Sequence, residues 1–306
     1  MSDEQREILK MVADKAITVE EAERLLRALE EGARAREAQR PKDRGGVGAA
    51  FDALGDVLSD IGPMVRNAVE DAVTGIGFGP DEPEDPHVER IPWEGKELPV
   101  GQGTVLEIVQ RRTGVRHGAG LTIEGTPGES CTIDGQNASD VHVYRDEGRL
   151  HVRWAHGDLA VRVPETVAKV VARVMGGSIR SKAVACPLHL RTMGGNLELQ
   201  EVRHPFDVKT MGGGITLALV PTFRGDGRGH TMGGSMNASV PRDLACSVHA
   251  VTMGGTIEVD GGMAQIERSK ATGKQTVNVT LGTGPVAATL GLKTMGGSIT
   301  VRRTDA

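Results

Sequence analysis

Six thioethers recur in this 306-residue chain, at Met175, Met193, Met211, Met232, Met253 and Met295, each followed by two glycines. A methionine can fill an irregular space or, where exposed, offer an apolar docking strip or a soft ligand for Cu(I). One sulfur per repeat spaces the ligands too widely for a single metal site, so a structural corner is the expected role. Two residues before each Met stand Arg173, Arg191, Lys209, His230, Val251 and Lys293, a nearly basic row with outward parity. The row reads as a solvated face, relieved by Glu198 and Glu258 on the following outward row. Its functional reading is a candidate interaction ladder of Arg173, Arg191, Lys209, His230 and Lys293 for an anionic polymer, a lipid headgroup or an acidic partner. His189 and His249 each precede a Met by four residues, but with two layers between them, which makes no metal cluster.

Cys131, Cys186 and Cys246 are odd in number and form no CxxC, so small core residues are expected rather than nucleophiles or zinc ligands. Glu198 and Glu258 share a repeat offset but lie three units apart, too far for acid–base work on one glycosidic bond. Neither GxSxG, HExxH nor a P-loop occurs, and no GxGxxG sits between a strand and a helix. The expectation is a chain with no catalytic, metal or cofactor-binding residues.

The elements that carry these columns follow from the repeat. Met-Gly-Gly returns at intervals of 18, 18, 21, 21 and 42 residues, and 42 is twice 21. A degenerate unit is therefore expected at 272–279, giving seven units in series. One, three and five residues before each Met, most positions are small or apolar; four and six after it, most are again apolar. Each unit reads as strand, Gly-Gly corner, strand, with both strands turning one face inward. The inward parity jumps by five across the corner, an odd step. A turn or bulge must break the alternation, and Gly-Gly suits it through its access to positive φ. Val163-Pro164, Val220-Pro221 and Val240-Pro241 mark strand ends. Stacked units of this length make a β-solenoid-like rack. Upstream, short alternating runs at 105–109, 121–124, 141–144, 150–154 and 159–163 read as strands, with Asp146-Glu147-Gly148 as a hairpin turn.

Aromatics make up only 2% of the chain against 42 glycines, which fits a thin stacked core. The net charge of -5 gives no global attraction to nucleic acid, and nucleic acid is not an expected partner. The N-terminus has no apolar signal core and no long apolar run exists, so the expected setting is cytoplasmic with no membrane span. Residues 1–40 read as a helical hairpin with capping boxes at Ser2/Gln5 and Thr18/Glu21. Residues 41–92 form a linker, an amphipathic helical segment at 47–76 and a Pro/acid-rich stretch. The segment's polar side is acidic, so protein contact is expected over peripheral membrane contact. Residues 93–306 form the β-repeat domain. Open solenoid ends would invite self-assembly, with Arg302–Ala306 as a charged guard.

The repeat resembles the bacterial putative-adhesin β-repeat family, also described as the Toastrack domain. The match is carried by GDLAVRVP at 157–164 and by each TMGG-(S/T/N/G)-(I/L/M) unit, over about residues 100–303. Family members often place Ser-Gly-Asp at the corner where this chain has Gly-Gly-Ser. The N-terminal EILKMVADKAITVEEAERLLRAL is similar to the bihelical SHOCT-like module. The resemblance implies a non-enzymatic assembly platform linked to cell-envelope stress, and it brings no functional residues with it.

Overall fold

The computed structural model describes residues 89–93, 97–110, 120–146, 148–261, 263–268 and 274–305. The expected helical hairpin and the 47–76 segment lie outside these residues. Within them every regular element is a strand. The chain begins with β1 (Glu89–Arg90), β2 (Glu97–Pro99), β3 (Val105–Gln110), β4 (Leu121–Thr126), β5 (Ser130–Ser139), β6 (His142–Asp146), β7 (Arg149–Trp154) and β8 (His156–Pro164). The first four Met-Gly-Gly corners join β9 (Lys169–Val174) to β10 (Ile179–Lys182), β11 (Leu188–Thr192) to β12 (Leu197–Val202), β13 (Phe206–Thr210) to β14 (Ile215–Leu219), and β15 (Gly225–Thr231) to β16 (Met236–Pro241). Then follow β17 (Cys246–Thr252), β18 (Ile257–Val259), β19 (Met263–Arg268), β20 (Gln275–Leu281), β21 (Ala288–Thr294) and β22 (Ile299–Thr304).

These strands form two sheets. One runs β1-β6-β7-β3-β9-β11-β13-β15-β21-β17-β20-β19, the other β18-β22-β16-β14-β12-β10-β4-β8-β5-β2. Between β7 and β17 in the first sheet, and between β8 and β18 in the second, all neighbours are parallel. The molecule is a rack of rungs, each rung one strand from either sheet, as the repeat predicted. Both inward rows are buried: Val170, Leu188, Phe206, Leu290 and Val248 from one sheet meet Ile179, Leu197, Ile215, Met236, Ile299 and Ile257 from the other. Each such side chain contributes about 1.5–3 kcal/mol on leaving water. Where the row narrows to Gly227, the Phe206 ring of the neighbouring rung fills the space; a Cβ there would lie 2.5 Å from it.

The rungs do not stack in sequence order, and this corrects the seven-unit series. The last unit, β21–β22, inserts between β15–β16 and β17–β18. At the other end β3–β4 inserts between β7–β8 and β9–β10. The degenerate unit expected at 272–279 is instead the strand β20, antiparallel to β17. It cannot continue a parallel rack, because it returns directly through the β19–β20 hairpin pairing. The expected tail guard begins within β22, whose Ile299–Val301 lie between β16 and β18, while Arg302–Thr304 pair with β16 and the Arg303 guanidinium donates to the carbonyls of Leu244 and Arg242.

Antiparallel strands close the ends. β6 and β1 cap the first sheet and β5 and β2 the second. At the far end β20 and β19 cap the first sheet, while the second stops at the three-residue β18. Short outer strands blunt edge-to-edge pairing. The expected hairpin turn is present, with Asp146 paired to Arg149 and Gly148 at φ 70°.

Candidate functional site

The corner explains half of the Thr-Met-Gly-Gly motif. The Thr192 hydroxyl donates to the Gly177 carbonyl of the neighbouring rung at 2.8 Å and accepts the Gly195 N–H of its own corner at 3.3 Å. Thr210 does the same with Gly195 and Gly213, and Thr231 with Gly213 and Gly234. Thr294 bonds Gly234 and Gly297, and Thr252 bonds Gly297 and Gly255. One hydroxyl per rung thus satisfies two buried backbone groups that the turn would orphan. The partners confirm the spatial order 175, 193, 211, 232, 295, 253.

The second glycine is required by close approach. A Cβ on Gly195, Gly213, Gly234 or Gly297 would lie 2.0 Å from the neighbouring second-glycine carbonyl oxygen. None of the corner glycines has positive φ, so the expected reliance on left-handed backbone is replaced by a packing limit. A further polar column lies three residues after the Met. Ser178 Oγ accepts the Asn196 N–H, Asn196 Oδ1 the Gly214 N–H, Ser235 Oγ the Ser298 N–H and Ser298 Oγ the Thr256 N–H.

Two glutamines that sequence reasoning passed over occupy the threonine column near its ends. Gln110 Oε1 accepts the Met175 N–H at 2.9 Å, and Gln275 Oε1 accepts the Ile257 N–H at 3.2 Å. Their register opposite Val174 and Thr252 places them there, and that register depends on pairings between distant parts of the chain.

The methionines themselves sit on the surface. Met193, Met211 and Met232 are 37%, 46% and 40% exposed, and Met175, Met295 and Met253 are half-buried. By contrast Met236, on an inward row, is 1% exposed. The three exposed methionines therefore fill no interior space.

The basic row is assembled in register on the outer face of the first sheet: Arg173 beside Arg191, then Lys209, His230 and Lys293, with Val251 next. Its relief differs from expectation. Glu198 and Glu258 lie on the outer face of the other sheet, where Glu198 meets Arg180 at 3.5 Å. The acids beside the row are Glu107 and Asp207. Glu107 bonds His151 at 3.1 Å and Arg173 at 3.1 Å, and its carboxyl is held below the usual range chiefly by the His151 hydrogen bond. Burial, then the Lys209 charge, pushes His230 down to about 4, so this position in the row is neutral at pH 7. Burial likewise lowers His189.

The insertion of the last rung also separates the other candidates further. His189 and His249 stand four strands apart, about 19 Å at the usual strand spacing, and His249 pairs with Asn278. Glu198 and Glu258 are likewise four strands apart, about 19 Å, whereas a glycosidase pair needs roughly 5–9.5 Å. Among the described residues no three His, Cys, Asp or Glu side chains gather for a metal ion. All three cysteines are buried, with burial pushing Cys131 and Cys186 up to about 12 and Cys246 up to about 11. They are core residues with no thiolate at neutral pH.

Comparison with known proteins assigns the N-terminus. Residues 3–34 match the SHOCT-like domain. This covers the first helical hairpin expected from the capping boxes. Two solved structures align with this chain at 9% identity, each over 71% of this chain and 98% of its own. One is described as a putative cell adhesion protein from Clostridium sporogenes, with a TM-score of 0.42. The other is described as a putative adhesin from Bacteroides fragilis, with a TM-score of 0.32. No curated protein matches the chain in sequence. Among the described residues no helix is long and apolar enough to cross a membrane.

Proposed function

We propose that this chain is a non-enzymatic interaction scaffold. The observation that carries the reading is the in-register column: each surface chemistry of the rack is repeated on adjacent strands instead of converging on one point. Catalysis needs unlike groups gathered around one bond, whereas a repeated row suits an extended partner. The Toastrack resemblance and the SHOCT-like match at residues 3–34 support this reading, in which the scaffold works in the cytoplasm, is associated with cell-envelope stress and self-associates. The test is the molar mass of the full-length chain by light scattering across a concentration series. Growth above the single-chain 32.3 kDa supports self-association. A strict monomer removes it and leaves docking of other proteins.

A second reading is favoured by the basic row spanning five adjacent strands from Arg173 to Lys293. In this reading the rack senses an anionic polymer or headgroup. Inorganic polyphosphate is the probe. Binding that falls steeply with salt, and is lost in Arg191→Glu with Lys209→Glu, supports it. Salt-independent binding, or none, excludes it.

A further inference from the structure

The corner motif leaves two of its four residues without a structural reason. The threonine and the second glycine hold neighbouring rungs together. The methionine and the first glycine do not. At five of the six corners a Cβ on the first glycine would meet ordinary contacts or none, 3.7 Å at Gly212, 3.6 Å at Gly233 and nothing within 4 Å at Gly176; only at Gly254 is the approach tighter, 3.3 Å from the Met295 carbonyl oxygen. None of these glycines has positive φ. Yet all six corners carry Met followed by a first glycine, and every first glycine is exposed.

The surface consequence is specific. Among the described residues the exposed large hydrophobics are Met193, Met211, Met232 and Val286, so three of the four belong to one file. Those three occupy consecutive rungs, tied by backbone bonds from the Gly212 N–H to the Met193 carbonyl and from the Gly233 N–H to the Met211 carbonyl. With Met175, Met295 and Met253 the file spans five strand spacings, about 24 Å. The bare glycine beside each thioether adds no side chain to cover it. An exposed apolar strip of this kind marks a contact surface, and flexible thioethers adapt to varied apolar partners.

The flank of the file decides the partner's charge. Arg191, Lys209 and Lys293 stand two residues before their methionines, on the face adjoining the file. A soft cation would be repelled there, and an acidic border on the partner would be attracted. About 16 residues of helix match the 24 Å length.

We propose that the methionine file is a docking strip for an amphipathic helix whose apolar stripe is bordered by acidic residues. This rests on the scaffold reading and names the chemistry of its partner.

The test is methionine footprinting of the full-length chain with dilute peroxide, read by mass spectrometry. The probe is a synthetic peptide of the chemistry just described, with the sequence of residues 50–73 of this chain and Pro63→Ala to keep one unbroken helix: Phe51, Leu54, Leu58, Ile61, Val65, Val69 and Val73 beside Asp52, Asp56, Asp60, Glu70 and Asp71. In the free protein Met193, Met211 and Met232 oxidise much faster than Met236. The peptide is expected to slow these three severalfold and to leave Met236 unchanged. A peptide with its acids changed to lysine gives no protection. Equal rates with and without the acidic peptide overturn the proposal. So do three methionines already slow in the free chain, since a strip already covered offers no docking surface to a partner. Protection by the lysine peptide also overturns it. If the peptide fails while light scattering shows self-association, the strip falls and the scaffold stands.

Discussion

Gly212 and Gly213 are adjacent, identical and equally repeated, yet the corner geometry predicts opposite results when each becomes alanine. A Cβ on Gly213 would sit 2.0 Å from the Gly195 oxygen, 2.4 Å from its carbonyl carbon and 2.9 Å from the Asn196 nitrogen, all backbone atoms. Ordinary contact is about 3.5 Å, so two rungs must part by well over 1 Å. That opening breaks the 2.9 Å bond from Thr210 to the Gly195 carbonyl. A buried acceptor left without its partner costs about 1–3 kcal/mol, and lost packing along the separated rungs adds to it. The expected destabilisation of Gly213→Ala is about 3 kcal/mol or more. At Gly212 the nearest atom to an added Cβ is 3.7 Å away, and φ is not positive. Gly212→Ala should change stability by less than about 0.5 kcal/mol, or raise it slightly by restricting the unfolded chain. Urea unfolding followed by far-ultraviolet circular dichroism measures both. A Gly213→Ala variant as stable as wild type, or a Gly212→Ala variant as damaged as its neighbour, would refute the close-approach argument.

Thr210→Val removes one hydroxyl and strands both the Gly195 carbonyl and the Gly213 N–H, so a loss of about 2–3 kcal/mol is expected. Thr216→Val, on the exposed outer face of the second sheet, should stay within about 0.5 kcal/mol in the same urea assay. The Glu107 carboxyl is lowered from 4.5 in the folded chain, so its contribution is complete above about pH 4.5 and is lost as pH falls through the lower folded value. Glu107→Gln should therefore flatten the acid limb of the stability curve below that point. His230 titrates at about 4 when folded against 6.5 when free, so the unfolded state binds the extra proton between these values. Stability should fall as pH drops from about 6.5 to about 4, and His230→Gln should reduce that slope in thermal melts taken at stepped pH.

The periodicity of Met-Gly-Gly carried the rack, its two inward rows and the outward basic row, because stacking like residues in register is what a fixed repeat does. The 42-residue interval misled for a physical reason. Equal spacing along the chain says nothing about which strand pairs with which, and β21 pairs with both β15 and β17 after the chain has passed through β19 and β20. The relief assigned to Glu198 and Glu258 failed for another reason: the corner of each unit carries them onto the outer face of the other sheet, away from the basic row. The outward position of the methionines was also illegible. Met has an apolar side chain, and parity alone does not say which way a residue at a corner points. Gln110 and Gln275 take the threonine position on the strands just beyond the outermost Met-Gly-Gly corners, a role visible only once register is known.

The unbroken methionine file exists only if the last repeat sits between the units of Met232 and Met253, and a disulfide pair tests that placement directly. His230 lies in register beside Lys293, and Lys293 beside Val251. Neighbouring parallel strands at about 4.8 Å lie within disulfide reach, and the next strand at about 9.6 Å does not. Under mild oxidation of the full-length chain, whose native cysteines are buried, His230→Cys with Lys293→Cys should cross-link. His230→Cys with Val251→Cys should not. The reverse result would put the rungs back in sequence order, with the unit at 272–279 separating Met295 from the rest of the file.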